Sequence, residues 1–486
     1  MFRKITAQYV LGFAEGRHTL IEGGEVVWDG DSIVFVGRGY DGPVHEELDC
    51  GQSLVTPGLV DLDALADIDH LILDSWAAPE VALGHVWSED YFARGRRDVF
   101  TRQERAVVRE FALAQLALHG ITTYMPIASE VHSAWAEGFD ELVDMAETSR
   151  RIGLRGYLGP AYRSGVHVAT ASGGRDVHFE PALGEEGLRD AERFLDFAAG
   201  LGDPLVTGVL LPCRIETLSE DLMRQTAKTA RERGVLVRLH CLQSPLEEGL
   251  LQRAAGQGVL GLLESTGLLG ARLLIPHGVE IDARDPAAAA PGGPLETLAR
   301  HGVSIVHCPL TSFRYGKQLV SFDRFREAGV NLCLGTDSFP PDLVRGIDVG
   351  SHLARMAEGR PDAGRLADYF DAATLGGAAA LGRPDLGRLA PGAQADIAVW
   401  SLASFGDGVV EDPLRTLVLN GTARQATHTF VAGRPVVVDS GLPGVDLAAL
   451  RAEGQRLFGR MREAYSERDI LLRDPDELFP PVYPRA

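Results

Sequence analysis

Residues 101–126 read TRQERAVVREFALAQLALHGITTYMP. The first part has helical spacing of its apolar residues, and the end is a short, almost wholly apolar run. The same texture recurs downstream. Further apolar runs are LVTGVLLP (205–212), GVLVRLH (234–240), RLLIPH (272–277), GVSIVHCP (302–309) and VNLCLGTD (330–337). Apolar runs separated by helices indicate βα units around a parallel sheet whose strands are buried on both faces. About eight such units fit between residues 57 and 385, which predicts an α/β fold, a (β/α)8 TIM barrel.

Outside this span the pattern changes. Residues 1–56, with GGEVVWDGDSIVFVG at 23–37, and residues 386–440, with THTFVAGRPVVVDSG at 427–441, read as short strands joined by turns. The two ends are expected to combine into a small β-sandwich beside the barrel. Residues 441–486 form a tail, in which DLAALRAEGQRLFGRMREAYSER has the spacing of a surface helix.

Composition narrows the function. The 486 residues are 45% hydrophobic and carry a formal net charge of −21. That charge argues against nucleic acid or an anionic membrane as partner. It is compatible with a cationic substrate, although solubility explains it more simply. The five cysteines are scattered, with no C-x-x-C pair, so neither a disulfide framework nor a thiolate zinc site is indicated. The apolar run at the N-terminus is too short for a signal peptide, and no run spans a membrane. A cytoplasmic enzyme acting on a small molecule is expected.

In a barrel of this type the chemistry sits at the C-terminal ends of the strands. The stretch VTPGLVDLDALADIDH (55–70) ends its apolar run in Asp61 and Asp63, with Asp67 and Asp69 beyond. The later runs end in His240, His277, His307 and Asp337. Side chains that each close a separate strand converge on one mouth.

The stretches VTPGLVD, PCRIETLSEDLM, GVLVRLHCLQSPLEE, LLIPHGVEI, VSIVHCP, GVNLCLGTDS, ATLGGAAALG and GRLAPGAQADIAVW, in this order, resemble the amidohydrolase superfamily. The branch is that of cytosine and guanine deaminases and triazine hydrolases. The resemblance implies a (β/α)8 barrel with a composite sandwich, and a homodimer is common in this branch. It also implies a divergent site. The family's first strand continues PGxxDxHxH with two metal-binding histidines, where this chain has Asp63 and Leu65. His240, His277 and Asp337 match the polar positions of the fifth, sixth and eighth strands. Gln243 stands for the proton-shuttling glutamate, and Cys213 for a histidine of the fourth-strand motif.

Asp63, His240 and Asp337 would then form a three-ligand set, with His277 nearby. It would hold zinc, iron or manganese weakly, or no metal at all. An amide cannot act as general base. Asp337 or Asp63 must therefore serve as base, with His277 or His240 as acid, and a carboxylate beside an imidazole would raise the imidazole's pKa. Three readings follow. The first is a hydrolase of altered design for C–N bonds or activated cyclic amides and lactones. The second is a metal-independent isomerase, lyase or decarboxylase. The third is an inactive binding protein, which the retained polar residues disfavour. Around these residues, Arg163 and Tyr162, Gln243, His307 and Trp87 are candidate substrate contacts. His307 is usually structural in the family's HCP motif. His70 and Trp76 have weaker claims.

Overall fold

The computed structural model describes residues 1–68, 83–127, 133–421 and 425–484. Eight short parallel strands carry the site: β1 (Leu59–Leu65), β2 (Ile121–Ile127), β3 (Arg155–Leu158), β4 (Val206–Gly208), β5 (Leu236–Arg238), β6 (Arg272–Pro276), β7 (Ser304–His307) and β8 (Asn331–Leu334). They pair as two four-stranded sheets, in the order β4-β3-β2-β1 and β5-β6-β7-β8. Backbone bonds reach from one sheet to the other. Leu210 N donates to Leu236 O at 3.0 Å beyond β4, and Asp337 N donates to Asp63 O at 2.8 Å beyond β8. The chain has an α/β fold of TIM-barrel type with a second, β-rich unit.

The helices alternate with the strands as the spacing predicts. The helix Arg102–Leu118 begins at Thr101, whose side chain accepts from Glu104 N while Glu104 bonds back to the cap. The helix Glu220–Arg233 ends at Gly234, which takes φ 66° so that its N–H reaches Ala230 O; this suits glycine because it has no Cβ. Strand side chains then divide between two layers. Leu62, Met125, Tyr157, Leu236, Leu274 and Val306 meet in one buried cluster. Their strand neighbours Ala64, Tyr124, Leu158, Val237, Leu273 and Ile305 join the larger cluster that also contains the helices' apolar residues. Period-two alternation decides which residue faces the interior on β2, β3, β5, β6 and β7, whereas on β1 a register shift between Asp61 and Ala64 interrupts it.

Both chain ends enter one eight-stranded sheet. Its N-terminal hairpin, Phe2–Ala14 with Arg17–Asp29, is antiparallel. Strand Ser53–Pro57 pairs antiparallel with Ile397–Ser401, Pro57 facing Ile397. Trp400 Nε1 donates to Thr56 Oγ1 at 2.9 Å across this seam. The buried Arg155–Asp396 pair, 3.2 Å, ties the sheet to β3. In the tail, helix Leu447–Glu463 packs Leu457 and Met461 into a cluster with Val108 of the helix Arg102–Leu118. One face of the expected surface helix is therefore buried. Among the described residues no helix is long and apolar enough to cross a membrane.

Candidate active site

Four of the predicted residues meet where the strands end. Asp63 is the penultimate residue but one of β1; His240 and His277 follow β5 and β6; Asp337 follows β8. Asp63 Oδ2 lies 3.3 Å from His240 Nε2. The imidazole centroids of His240 and His277 are 5.4 Å apart. His277 Nε2 lies 3.6 Å from Asp337 Oδ2. All four residues are buried. His277 has φ 71° and Asp337 φ 40°, a left-handed backbone that non-glycine residues rarely adopt. Such geometry costs on the order of 1–3 kcal/mol per residue and is concentrated at functional sites.

The ligand atoms fall into two overlapping groups, each within 4.8 Å: Asp63 with His240 and His277, and His277 with Cys308 and Asp337. The expected Asp63–His240–Asp337 set is not among the groups found in the described residues; His277 is the shared member. Two atoms in these groups, Asp63 Oδ1 and His277 Nε2, are buried without a hydrogen-bond partner.

A cation that the sequence reading missed stands beside them. Arg238 Nη1 is 3.1 Å from Asp63 Oδ1, an ionic contact rather than an aligned hydrogen bond. It also donates to Pro126 O at 2.6 Å. The signal was present in the sequence: Leu236, Arg238 and His240 are spaced by two, so Arg238 shares the inward face with Leu236 and the histidine. The same alternation removes His307. It follows the outward Ile305, is buried, and its ring lies 6.0 Å from that of Tyr369 and 6.2 Å from that of Phe322. The inward residue at the end of β7 is Cys308, whose thiol donates to Asp63 Oδ2 at 3.6 Å.

Burial dominates the electrostatics. It would raise the Asp63 carboxyl, but His240 and Arg238 together hold it well below the usual carboxylate range. Burial pushes His240 down despite Asp63. Burial pushes His277 well down, and the neighbouring His240 adds to this. The expected rise of the histidine pKa beside Asp337 therefore does not occur: one carboxylate at 3.6 Å does not offset complete desolvation of the imidazolium. Burial pushes the Cys308 thiol well up, with Asp63 contributing. Burial also lifts Asp61 to about 7, although it accepts bonds from Thr336 N and Oγ1 at 3.1 and 2.6 Å.

A cavity of about 350 Å³ opens onto His277. Gln243 and Trp87 line it, as the sequence suggested. So do His167, Arg175, Arg214 and Glu216, which the sequence reading did not single out. Arg214 donates to Gln243 Oε1, and His167 Nε2 pairs with Glu216 Oε1 at 2.8 Å. Tyr162 and Arg163 do not line it. The Tyr162 hydroxyl bonds Thr226 Oγ1 at 2.9 Å inside the helix layer, and Arg163 donates to Trp135 O. His70 and Trp76 lie outside the described residues.

Comparison with known proteins places this geometry. The profile of the amidohydrolase family matches residues 54–436. The chain is 26% identical over 435 residues to a 5-methylthioadenosine/S-adenosylhomocysteine deaminase of Pyrococcus abyssi, covering 89% of this chain and 93% of that protein. It is 28% identical over 437 residues to an 8-oxoguanine deaminase of Pseudomonas aeruginosa, covering 88% and 93%. Its fold resembles that of a zinc-bound adenosine deaminase from Xanthomonas campestris, with a TM-score of 0.75 at 21% identity over 95% of this chain and 98% of the other. It also resembles a zinc-complexed atrazine chlorohydrolase from Arthrobacter aurescens, with a TM-score of 0.74 at 22% identity over 94% and 100%.

Proposed function

The chain belongs to the amidohydrolase family, and on that premise we propose that it hydrolyses a C–N bond of a small heterocycle at the mouth formed by β1, β5, β6 and β8. The observation that carries this reading is the meeting of Asp63, His240, His277 and Asp337 from four separate strands, with His277 lining the adjoining cavity. In this reading the two four-stranded sheets are halves of one (β/α)8 barrel over residues 57–385. Residues 1–56 and 386–440 form the composite unit, and 441–486 the tail. The deaminases among the relatives support the bond type.

The residues present fit one divalent ion. Asp63, His240 and His277 supply a carboxylate and two imidazoles, a donor set suited to zinc, iron or manganese. Asp63 Oδ1 and His277 Nε2, buried without a hydrogen bond, are consistent with that use. Such an ion supplies Lewis acidity toward the C–N centre. Leu65 offers no donor, and the Arg238 charge competes for Asp63. The ion is therefore held weakly.

Proton transfer is assigned to Asp337, whose carboxylate lies 3.6 Å from His277, whereas Asp61 is engaged by Thr336 N and Oγ1 and Glu216 by His167. Gln243 has no ionisable group. Asp63 is held ionised and weakly basic by His240 and Arg238. The Cys308 thiol stays protonated. Asp337 takes the proton of the attacking water and returns it to the departing nitrogen. His277 stays neutral between His240 and Asp337, and its ring fixes the edge of the cavity nearest the reaction.

The test is ammonia or amine release from a panel of amino-substituted heterocycles and ring amides. It is run on chelated protein and on protein supplemented with zinc, iron or manganese. We expect metal-stimulated turnover that His240→Ala and Asp337→Asn abolish. Turnover indifferent to both substitutions overturns the reading.

A further inference from the structure

The cavity wall does not share the acidity of the chain. A protein with 68 Asp and Glu against 47 Lys and Arg would place a surplus of carboxylates around an average pocket. Among the described residues this pocket is lined by Arg175, Arg214 and Lys317 against a single carboxylate, Glu216. Glu216 is bonded to His167, and Lys317 reaches Glu280 at 2.9 Å. The two arginines come from separate segments, the strand Arg175–Phe179 and the loop after Pro212, yet they line the same space. Burial lowers the Arg175 pKa and the Arg214 charge adds to that, with Tyr315 opposing. An anion seated between two guanidinium groups of one partly desolvated wall accepts charge-assisted hydrogen bonds from both.

The position of the pair gives it a meaning for substrate choice. Arg214 contacts Gln243, on the loop that follows His240, so the cationic wall adjoins the reacting residues. His277 lines the same cavity, at its reactive end. We infer that the substrate is an anionic heterocycle, one carrying a carboxylate or an equivalent acidic group that Arg175 and Arg214 clamp while the ring faces His277. This rests on the hydrolytic reading for the ring chemistry, but the anion preference is a statement about binding alone. It reverses what the net charge of −21 suggests on its own, because a cationic substrate would meet like charge at this wall.

The experiment pairs each probe with its uncharged counterpart. Pyridine, pyrimidine and triazine carboxylates are compared with the parent rings and the corresponding carboxamides, with benzoate as a non-heterocyclic anion. Binding is followed by thermal shift and calorimetry at two salt concentrations. The carboxylates should bind about tenfold tighter or more than the matched neutral rings, and the preference should weaken with salt. Arg175→Gln and Arg214→Gln should each remove most of it. Arg175→Lys and Arg214→Lys keep the charge and should retain part of it, which separates loss of charge from loss of fold. No carboxylate preference in the wild type, or an undiminished preference in both glutamine variants, overturns the inference. Ammonia release is scored separately. Arginine-dependent binding of carboxylates that are never hydrolysed leaves the anion site standing and removes the hydrolytic reading. Hydrolysis of neutral rings with carboxylates ignored does the reverse.

Discussion

Replacing Arg238 by methionine keeps the length of the side chain and removes the charge next to Asp63. The contact is 3.1 Å long, between side chains 2% and 0% exposed. At that separation and an effective dielectric of about 20, the attraction is about 5 kcal/mol before desolvation. Removing one partner of a buried pair typically costs about 3–5 kcal/mol, because the other charge is left uncompensated. Metal-free Arg238→Met should therefore unfold with that loss, and a divalent cation at Asp63 should restore much of it. If the whole penalty were relieved by the ion, its affinity would rise by more than about 10²-fold, since each 1.4 kcal/mol is a factor of ten. Urea unfolding of chelated and zinc-supplemented protein measures the stabilities, and calorimetry the affinity. Two results would refute the reasoning. One is a metal-free variant as stable as wild type that binds zinc no tighter. The other is a wild-type protein that keeps one equivalent of zinc through exhaustive dialysis against a chelator.

Asp337→Asn should lower turnover of any heterocycle the enzyme accepts by about 10²-fold or more, with little change in KM, because the amide keeps the shape and loses the base; steady-state kinetics on that substrate decide it. Arg109 bonds Asp67, Glu137 and Glu141 at 2.9, 2.7 and 2.7 Å inside the fold. Arg109→Met should cost at least about 3–5 kcal/mol in chemical unfolding, as three carboxylates lose their shared cation. Burial lowers His18 to about 4. The unfolded chain therefore binds the extra proton first, and stability contributed by neutral His18 is lost as pH falls from about 6.5 to about 4, by up to about 3 kcal/mol. His18→Gln should flatten that part of the stability–pH curve relative to wild type, and parallel curves would show that His18 does not contribute.

Most of the parallel strands were legible because each is a short apolar run, and the ends of β1, β5, β6, β7 and β8 were legible because a carboxylate or imidazole stops the run. What the runs do not show is which face the last residue takes. His307 and Cys308 are adjacent in the sequence and point to opposite layers. Tyr162 lies four residues past the end of β3, Leu158, in a short strand that pairs with Leu211–Pro212, and its side chain faces the helix layer. Arg238 sits inside a run that reads as strand core, and its partner Asp63 belongs to a strand far away in the chain. Its spacing by two from His240 marks it as inward, but nothing in the sequence names Asp63 as its partner. The expected imidazolium at His277 failed for a related reason. Spacing names a neighbouring carboxylate, whereas the depth of burial, which wins here, emerges only from packing.

The tail has a consequence for how this enzyme is handled and how it diverges. The ring of Phe479 stacks on His85 at 4.7 Å, and the Arg468 guanidinium lies 4.7 Å over the Trp87 ring. His85 and Trp87 are both walls of the substrate cavity. The last twenty or so described residues thus act as the outer brace of the pocket, although none of them lines it. Trimming the chain after the helix Leu447–Glu463 would unmoor the aromatic side of the binding space and remove Tyr465, Leu478 and Phe479 from the buried cluster around Val108. Point changes at Arg468, which covers the Trp87 ring without lining the cavity, therefore offer a gentler route to altered selectivity than truncation does.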